Sequence, residues 1–316
     1  MLLQVVSGIA VLTTGLLLMA FASNKAVEHS VKIALAFGIS PFMMGLLLVS
    51  IGTDLPEIVN SLVSCAMGHG NIDVGDSIGS VLTQITLVLG LLPFLGKSFS
   101  VERDDIIVTG SCQILSLLLA FSIVEKGFIS RINALIFVCS WPVYMILTGK
   151  LAARNQKSKE VEEYQRNRFY HFGIAIISFA GVAIGAYLMV RSVIILSQVF
   201  ETSEYVVSFF VASIGTSLPE LAVDLTALRK KQYELAIGDI IGSCIVDATL
   251  SIGIGQVFFP QKVSYEFADL TILYTIFASL AVIITLAIRE RMDKRAGVLF
   301  IVLYALSYGI VYIVTM

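Results

Sequence analysis

The chain has 316 residues, 57% of them hydrophobic and only 14% charged, with a formal net charge of −2. A chain so apolar leaves no room for a large water-soluble domain, and its slightly acidic balance argues against a nucleic-acid partner. The composition is that of a polytopic α-helical protein whose solvent is the lipid bilayer.

At about 20 residues per crossing, ten spans are predicted, near 2–22, 33–66, 72–93, 105–123, 130–148, 169–190, 205–227, 235–258, 268–288 and 296–315. In the first, Ala20 and Ala22 imitate a signal-peptidase site, but the segment lacks a basic start and is read as a retained span. The second is too long for one straight crossing and carries Pro41 and Pro56, so a broken or steeply tilted helix is expected. Between the fifth and sixth spans, Lys150 to Arg168 reads KLAARNQKSKEVEEYQRNR, a charged connector too short to fold alone. The expected organisation is therefore a five-helix unit over 1–149, a linker over 150–168 and a second five-helix unit over 169–316.

Basic residues orient the spans. Lys25, Lys32, Lys97, Arg103, the linker's lysines and arginines, Arg229, Lys230, Lys231, Arg289 and Arg291 fall on one side, against Lys126, Arg131, Arg191 and Lys262 on or near the other. The positive-inside rule puts the linker in the cytoplasm and both chain ends outside, in an integral multi-pass protein of the cell membrane.

One segment occurs twice. GTDLPEIVNSLV…VGDSIGSVLTQITLVLG, from Gly52, returns as GTSLPELAVDLT…IGDIIGSCIVDATLSIG, from Gly215, so Glu57 maps to Glu220, Asp76 to Asp239 and Gln84 to Asp247, each 163 positions later. Five spans per copy is an odd number, so the second copy enters the membrane in the opposite sense. That is inverted-repeat transporter architecture, in which broken helices of both halves meet at the midplane. Asp54 and Glu57, three apart, share a helical face. Asp76, Ser80 and Gln84 form an i, i+4, i+8 stripe, and Asp239, Ser243 and Asp247 repeat it. Gly75-xxx-Gly79 and Gly238-xxx-Gly242 permit close helix approach. Pro56 and Pro219 have no N–H to offer the carbonyls of Gly52 and Gly215, which frees them as candidate ligands.

This inventory is carboxylate, hydroxyl, amide and carbonyl oxygen, the donor set of hard cations. Asp54, Glu57, Asp76, Glu220, Asp224, Asp239 and Asp247 fall within predicted spans, and Arg191, at the edge of one, is the basic residue read as able to join them. Bound cations or protons must neutralise the rest. Asp76 and Asp239 have a second reading as helix N-caps, since each follows a glycine near a predicted start. Asp224 either lines a vestibule or pairs with Arg229. Cys65, Cys112, Cys139 and Cys244 lack zinc-ligand spacing and are read as free thiols, mostly buried. His29, His69 and His171 lie near span ends and are read as surface residues.

The paired GT-x-LPE segments with G-x-x-IGS resemble the calcium/cation antiporter superfamily, most of all its sodium/calcium exchanger branch, over essentially the whole chain. The resemblance implies a transporter rather than an enzyme, with no cofactor and no obligate protein partner, carrying calcium and sodium. It assigns alternating calcium and sodium binding to Glu57 and Glu220. It adds ligands at Thr53, Thr216, Ser217, Ser80 and Ser243, backbone carbonyls near Ser50 and Ser213, and a deeper position at Gln84 and Asp247. It also implies that the first and sixth helices slide across a rigid core of eight. The chain departs from the pattern at Asp54, where serine is usual, at Asp76 and Asp239, where asparagine is usual, and at Gln84, one methylene longer than asparagine. The extra acids favour a divalent ion or a protonated carboxyl, which keeps proton-coupled exchange open beside sodium coupling. A passive cation channel is a further alternative. An intramembrane aspartyl protease is disfavoured, because Asp76 and Asp239 are repeat equivalents and its accompanying Tyr-Asp and PAL elements are missing.

Overall fold

The computed structural model describes residues 2–36, 50–152, 168–229, 231 and 233–315. Helix α1 (Leu2–Ala36) is longer than the 2–22 expected. No glycine or proline interrupts it after Gly15, and Glu28 links Lys32 and Lys25 at 2.6 and 2.9 Å, bracing the polar turn in helical form. Lys32 and then Lys25 hold the Glu28 carboxyl down at about 2. Residues 33–36, assigned above to the second span, therefore belong to the first. Pro41 lies outside the described residues.

The second span is broken, as its length and Pro56 required. Its described part is α2 (Ser50–Thr53) and α3 (Leu55–Ala66), parted at Asp54, whose ψ of 6° leaves the helical region. A turn through Gly68, at φ +85°, leads into α4 (Gly70–Leu82), a π-helical turn (Thr83–Val88) and α5 (Leu89–Leu95). Helices α6 (Arg103–Val124), α7 (Arg131–Ala152) and α8 (Arg168–Val199) follow. The next span is α9 (Glu204–Val207), a π turn (Ser208–Ala212), α10 (Ser213–Thr216) and α11 (Leu218–Arg229), broken at Ser217 with ψ 4°. Then come α12 (Tyr233–Val246), a π turn (Asp247–Ser251), α13 (Ile252–Phe258), α14 (Tyr265–Arg289) and α15 (Lys294–Thr315). Among the described residues nine helices are long and apolar enough to cross a membrane, and Leu55–Ala66 is a shorter apolar one.

Asp54 and Ser217, 163 positions apart, break their helices with nearly the same backbone angles. Gln84 and Asp247, also 163 apart, both sit in π turns. A π turn widens the helix by a residue and re-aims the side chains beside it, a device frequent at functional sites.

Helices α1 and α8 pack antiparallel along their lengths. Gly15 and Gly185 allow this: a Cβ on Gly15 would stand 2.9 Å from the Gly185 carbonyl oxygen. Gly75 and Gly79 let α4 lie against the backbone of Tyr205 and Phe209, as their spacing predicted. The central core gathers Val74, Ile78, Val81 and Ile85 against Ile240, Ile241 and Ile245. Leu115, Ile132, Ile177 and Ile288 point outward, which is stable only against lipid.

Two short strand pairs fasten the loops. β1 (Phe99–Ser100) pairs antiparallel with β4 (Arg291–Met292), and β2 (Phe128–Ile129) with β3 (Gln261–Lys262). Each pair joins a loop of the first half to a loop of the second.

Candidate ion-binding site

The seven acids singled out from the sequence are all buried: Asp54, Glu57, Asp76, Glu220, Asp224, Asp239 and Asp247 are each 5% exposed or less. The ion pairs among the described residues join Lys25 and Lys32 to Glu28, His69 to Glu204 and Arg289 to Asp293, all away from these acids. Arg191 is exposed and Arg229 makes no ion pair with Asp224. Burying an ionised carboxylate without a partner costs several kcal/mol.

The two glutamates sit one turn inside helices that begin at a break. Glu57 lies in the first turn of α3 and Glu220 in the first turn of α11, where unpaired N–H groups favour negative charge. The Ser80 hydroxyl approaches Glu57 Oε1 at 3.4 Å, while Glu57 Oε2 and both oxygens of Glu220 have no hydrogen-bond partner. Both oxygens of Asp54 are also unpartnered, and so are the hydroxyls of Ser217 and Ser243. The Asp54 charge is within electrostatic reach of Glu57 and Asp239, and that of Glu220 within reach of Glu57, Asp54 and Asp247.

Around this bare centre the remaining groups are tied down. Thr216 Oγ1 donates to Asp76 Oδ1 at 3.2 Å and lies 3.2 Å from Ser80 Oγ. Asn60 Nδ2 donates to Asp76 Oδ2 at 2.7 Å. Thr83 and Ser213 hydroxyls stand 3.5 Å apart, and the Ser213 hydroxyl also bonds back to the Phe209 carbonyl. Gln84 Nε2 donates to Asp247 Oδ2 at 3.1 Å, and Ser251 to Asp247 Oδ1 at 3.1 Å. Thr53 is buried at the end of α2, and Ser50 enters only as the first residue of that turn. The Ser217 N–H leans on the Ser213 and Gly215 carbonyls, the latter being the one Pro219 leaves without its usual partner.

Three expectations need correction. Asp76 and Asp239 are not caps: α4 and α12 start two residues earlier than predicted, at Gly70 and Tyr233, which moves both aspartates into the helix interior. His29 is not a surface residue but is buried, its Nδ1 2.9 Å from Nδ1 of His171. An eighth buried acid, Asp73, was passed over. It accepts from Gln256 Nε2 at 2.8 Å and from the Cys65 thiol at 3.2 Å. Its repeat equivalent is Ala236, so the duplication gave no signal for it; its place inside the predicted third span did. The cysteines agree with expectation: all are free, with Cys65, Cys112 and Cys244 buried and Cys139 exposed.

Among the described residues, no three His, Cys, Asp or Glu side chains converge on one point. Like-charged carboxylates in low dielectric stand apart, and hydroxyls, amide and carbonyls occupy the space between them. Such a centre suits a small hard cation held by mixed oxygens.

A helical membrane protein with this buried, all-oxygen, acid-rich centre is a cation transporter. The family model described as sodium/calcium exchanger protein matches residues 7–150 and 170–313, and the chain belongs to that family. It is 27% identical to the inner membrane protein YrbG of Escherichia coli over 288 residues, covering 86% of this chain and 87% of that protein. It is 24% identical to the sodium/calcium exchanger MaX1 of Methanosarcina acetivorans, over 93% of this chain and 95% of the other. Among solved structures, the sodium-calcium exchanger NCX_Mj soaked with 2.5 mM Na+ and 10 mM Sr2+ matches with TM-score 0.63 at 27% identity, covering 96% of this chain and 99% of the other. The same exchanger soaked with 2.5 mM Na+ and 0.1 mM Ca2+ matches with TM-score 0.63 at 28% identity, covering 96% and 97%. The chain is thus an ion exchanger of the membrane, not an enzyme.

Proposed function

We propose that the protein is a secondary antiporter that exchanges calcium, or a similar divalent cation, for sodium by alternating access, through ten spans arranged as two inverted five-helix repeats joined by the 150–168 linker. The observation that carries this reading is the pair Glu57 and Glu220, repeat equivalents at two equivalent helix breaks, buried and with three of their four carboxylate oxygens unpartnered. In this reading both glutamates bind the transported ion. Asp54, Asp247, Gln84, Thr53, Thr216, Ser217, Ser80 and Ser243, with carbonyls near Ser50 and Ser213, complete the ligand set, and Asp76 and Asp239 border it. The hydrogen bonds to Asp76 favour a supporting role for that residue.

The strand pairs support the inverted relation. Positions 163 after β2 are those of β4, and Phe99 corresponds to Lys262 of β3. The two clips are therefore images of each other under the proposed axis. The long α1–α8 contact, smoothed by Gly15 and Gly185, is a surface on which the pair could move as one body against the core.

Calcium carries two charges and sodium one, so an acid-rich site releases calcium only when other cations arrive to replace it. Asp54 favours a second reading, in which protons are those cations. Calcium-45 uptake into proteoliposomes with an imposed sodium gradient, an imposed proton gradient or neither separates the two. Uptake driven by sodium at fixed pH supports the first reading; uptake driven by a pH gradient and indifferent to sodium transfers the assignment to the second. Uptake with no gradient and no counter-ion dependence marks a channel.

A further inference from the structure

Asp76 on α4 is held at both oxygens, and its contacts run on toward the proposed cation ligands. Asn60, three residues after Glu57 on α3, donates from Nδ2 to Asp76 Oδ2 at 2.7 Å. Turned the other way, the amide would set its carbonyl oxygen against a carboxylate oxygen. Asp76 Oδ1 accepts from Thr216 Oγ1 at 3.2 Å. Thr216 Oγ1 in turn lies 3.2 Å from Ser80 Oγ, and Ser80 Oγ lies 3.4 Å from Glu57 Oε1. Asn60, Asp76, Thr216, Ser80 and Glu57 thus form one unbroken chain of hydrogen-bond contacts, and each of the five side chains is 2% exposed or less.

A hydroxyl carries one hydrogen, and this gives the chain a direction. The Thr216 hydrogen has three acceptors: Asp76 Oδ1, and the Ser213 and Ala212 carbonyl oxygens at 3.3 and 3.4 Å. Whichever of these holds it, Thr216 offers Ser80 a lone pair. The two carbonyls belong to the segment that ends in Thr216 and travel with it. Asp76 sits on α4, one turn before Ser80 on the same helix, and so fixes Thr216 relative to Ser80. Ser80 is left with one hydrogen and two acceptors, Glu57 Oε1 and Thr216 Oγ1. The second half lacks this support. Val223 stands 163 positions after Asn60 and has no side-chain donor, and neither oxygen of Asp239, the equivalent of Asp76, has a hydrogen-bond partner among the described residues.

We propose that Asn60 and Asp76 are positioning residues for the transported cation and act through Thr216 and Ser80. Asp76 seats Thr216 against Ser80 and takes its hydrogen, and Asn60 fixes Asp76 in the pose that does so. A cation engaging Glu57 repels the Ser80 hydrogen, which turns from Glu57 to Thr216. The turn loses no hydrogen bond, because the one given up at Glu57 is replaced by one at Thr216. Both hydroxyls then show lone pairs to the ion, as a hard cation requires of its ligands. Without the support, Thr216 is no longer held beside Ser80, and the Ser80 hydrogen stays on Glu57, where it opposes the cation. The device serves one glutamate of the pair, since Val223 and Asp239 build no equivalent beside Glu220.

This rests on the exchanger reading above, and calcium-45 uptake into proteoliposomes, under whichever gradient drives it, separates affinity from rate. Asn60→Val, which installs the residue of the second half, should raise the calcium KM about fivefold, the worth of one hydrogen bond, with a much smaller change in maximal rate. In a Thr216→Val background the same substitution should add nothing, because Asn60 acts through that hydroxyl. Asp76→Asn keeps an oxygen for Thr216 and should raise KM less than Asp76→Leu, which keeps none. That second pair decides the matter where Asn60→Val does not fold or Thr216→Val does not transport. A lowered maximal rate at unaltered KM, or an Asn60→Val effect that adds in full to that of Thr216→Val, marks a merely structural role and overturns the proposal. Equal losses in Asp76→Asn and Asp76→Leu overturn it too, since Asp76 then acts by its charge and not as an acceptor. Failure of the exchanger reading looks different: the unaltered protein then takes up no calcium under either a sodium or a proton gradient, and the proposal falls with it.

Discussion

Gln84 and Asp247, equivalent positions of the two repeats, are hydrogen-bonded to each other, Nε2 of the one donating to Oδ2 of the other at 3.1 Å. Two symmetry-related residues touch only if both lie near the axis that relates them. This contact therefore agrees with the proposed two-fold relation and places the pair at the middle of the molecule, each in its own π turn. The axis is also where the symmetry is broken chemically, since an amide faces a carboxylate. Two carboxylates there would repel, and an amide donates where a second acid could not.

Shortening or removing that amide should therefore strip Asp247 Oδ2. Gln84→Leu leaves a buried acceptor without its donor, and the expected loss of stability is about 1–3 kcal/mol. Thermal unfolding of the detergent-purified protein measures it. Gln84→Leu combined with Asp247→Asn should recover part of the loss, because the amide desolvates at lower cost than a carboxylate; an unchanged melting temperature in Gln84→Leu would show that the contact contributes nothing.

The paired glutamates give the sharpest functional outcome. Glu57→Gln and Glu220→Gln each keep shape and remove one charge from a centre where, among the described residues, no basic side chain pairs with it. Both variants should remain folded and extractable and lose divalent transport in proteoliposomes. Ordinary uptake by either would take that residue out of the ligand set.

How much of this was visible before the structure follows from what a repeat can and cannot report. Residues present in both copies, such as Glu57 with Glu220 or the glycines of α4, were legible because the duplication marks them, and helix breaks at Asp54 and Ser217 followed from the prolines just beyond. Asp73 carries no counterpart and was missed, though its carboxylate joins α4 to α3 and α13 through Cys65 and Gln256. The hydrogen-bonding states of Asp76 and Asp239 were also hidden, because they depend on residues 16 positions away on the preceding helix, Asn60 in one half and Val223 in the other. Span ends were misjudged where hydropathy drops before the helix does: Lys25, Glu28 and Lys32 look like a loop by polarity yet brace one another as a helix.

Orientation rests on the charge bias alone, and labelling tests it. With native cysteines replaced, a cysteine at position 158, in the linker and outside the described residues, should resist an impermeant thiol reagent in intact cells. One at position 126, in the α6–α7 turn, should react. The opposite pattern would invert the protein in the membrane.

Asp54 is the departure that bears most on ion choice. Its two unpartnered oxygens lie at the helix break, within electrostatic reach of Glu57. Asp54→Ser makes the break resemble its equivalent at Ser217 and removes one negative charge. Transport should survive, with calcium affinity lowered and competition by sodium or protons altered. If the competition curves and the pH profile both overlay those of the unaltered protein, Asp54 takes no part in binding.

The histidine pair is a clasp between α1 and α8, and it responds to pH with a definite sign. A hydrogen bond between two Nδ1 atoms at 2.9 Å needs one of them protonated and the other bare, so at least one ring must be neutral. His29 lies beyond the apolar window Leu3–Ala26, and burial, then the Lys32 charge, pushes its pKa below the usual 6.5; Glu28 acts in the opposite direction, and His171 and Lys25 lower it further. Because the folded pKa is the lower one, the unfolded chain binds more protons, and the clasp's contribution is fully present above about pH 6.5. It fades as the pH falls through the folded value, where protonation of His29 disrupts the bond. His29→Gln should therefore lower the melting temperature at pH 8 by an amount equivalent to about 1 kcal/mol, and the gap from the unaltered protein should narrow below pH 6.5. A gap that stays constant down to pH 5 would mean that the imidazoles only fill space between the two helices.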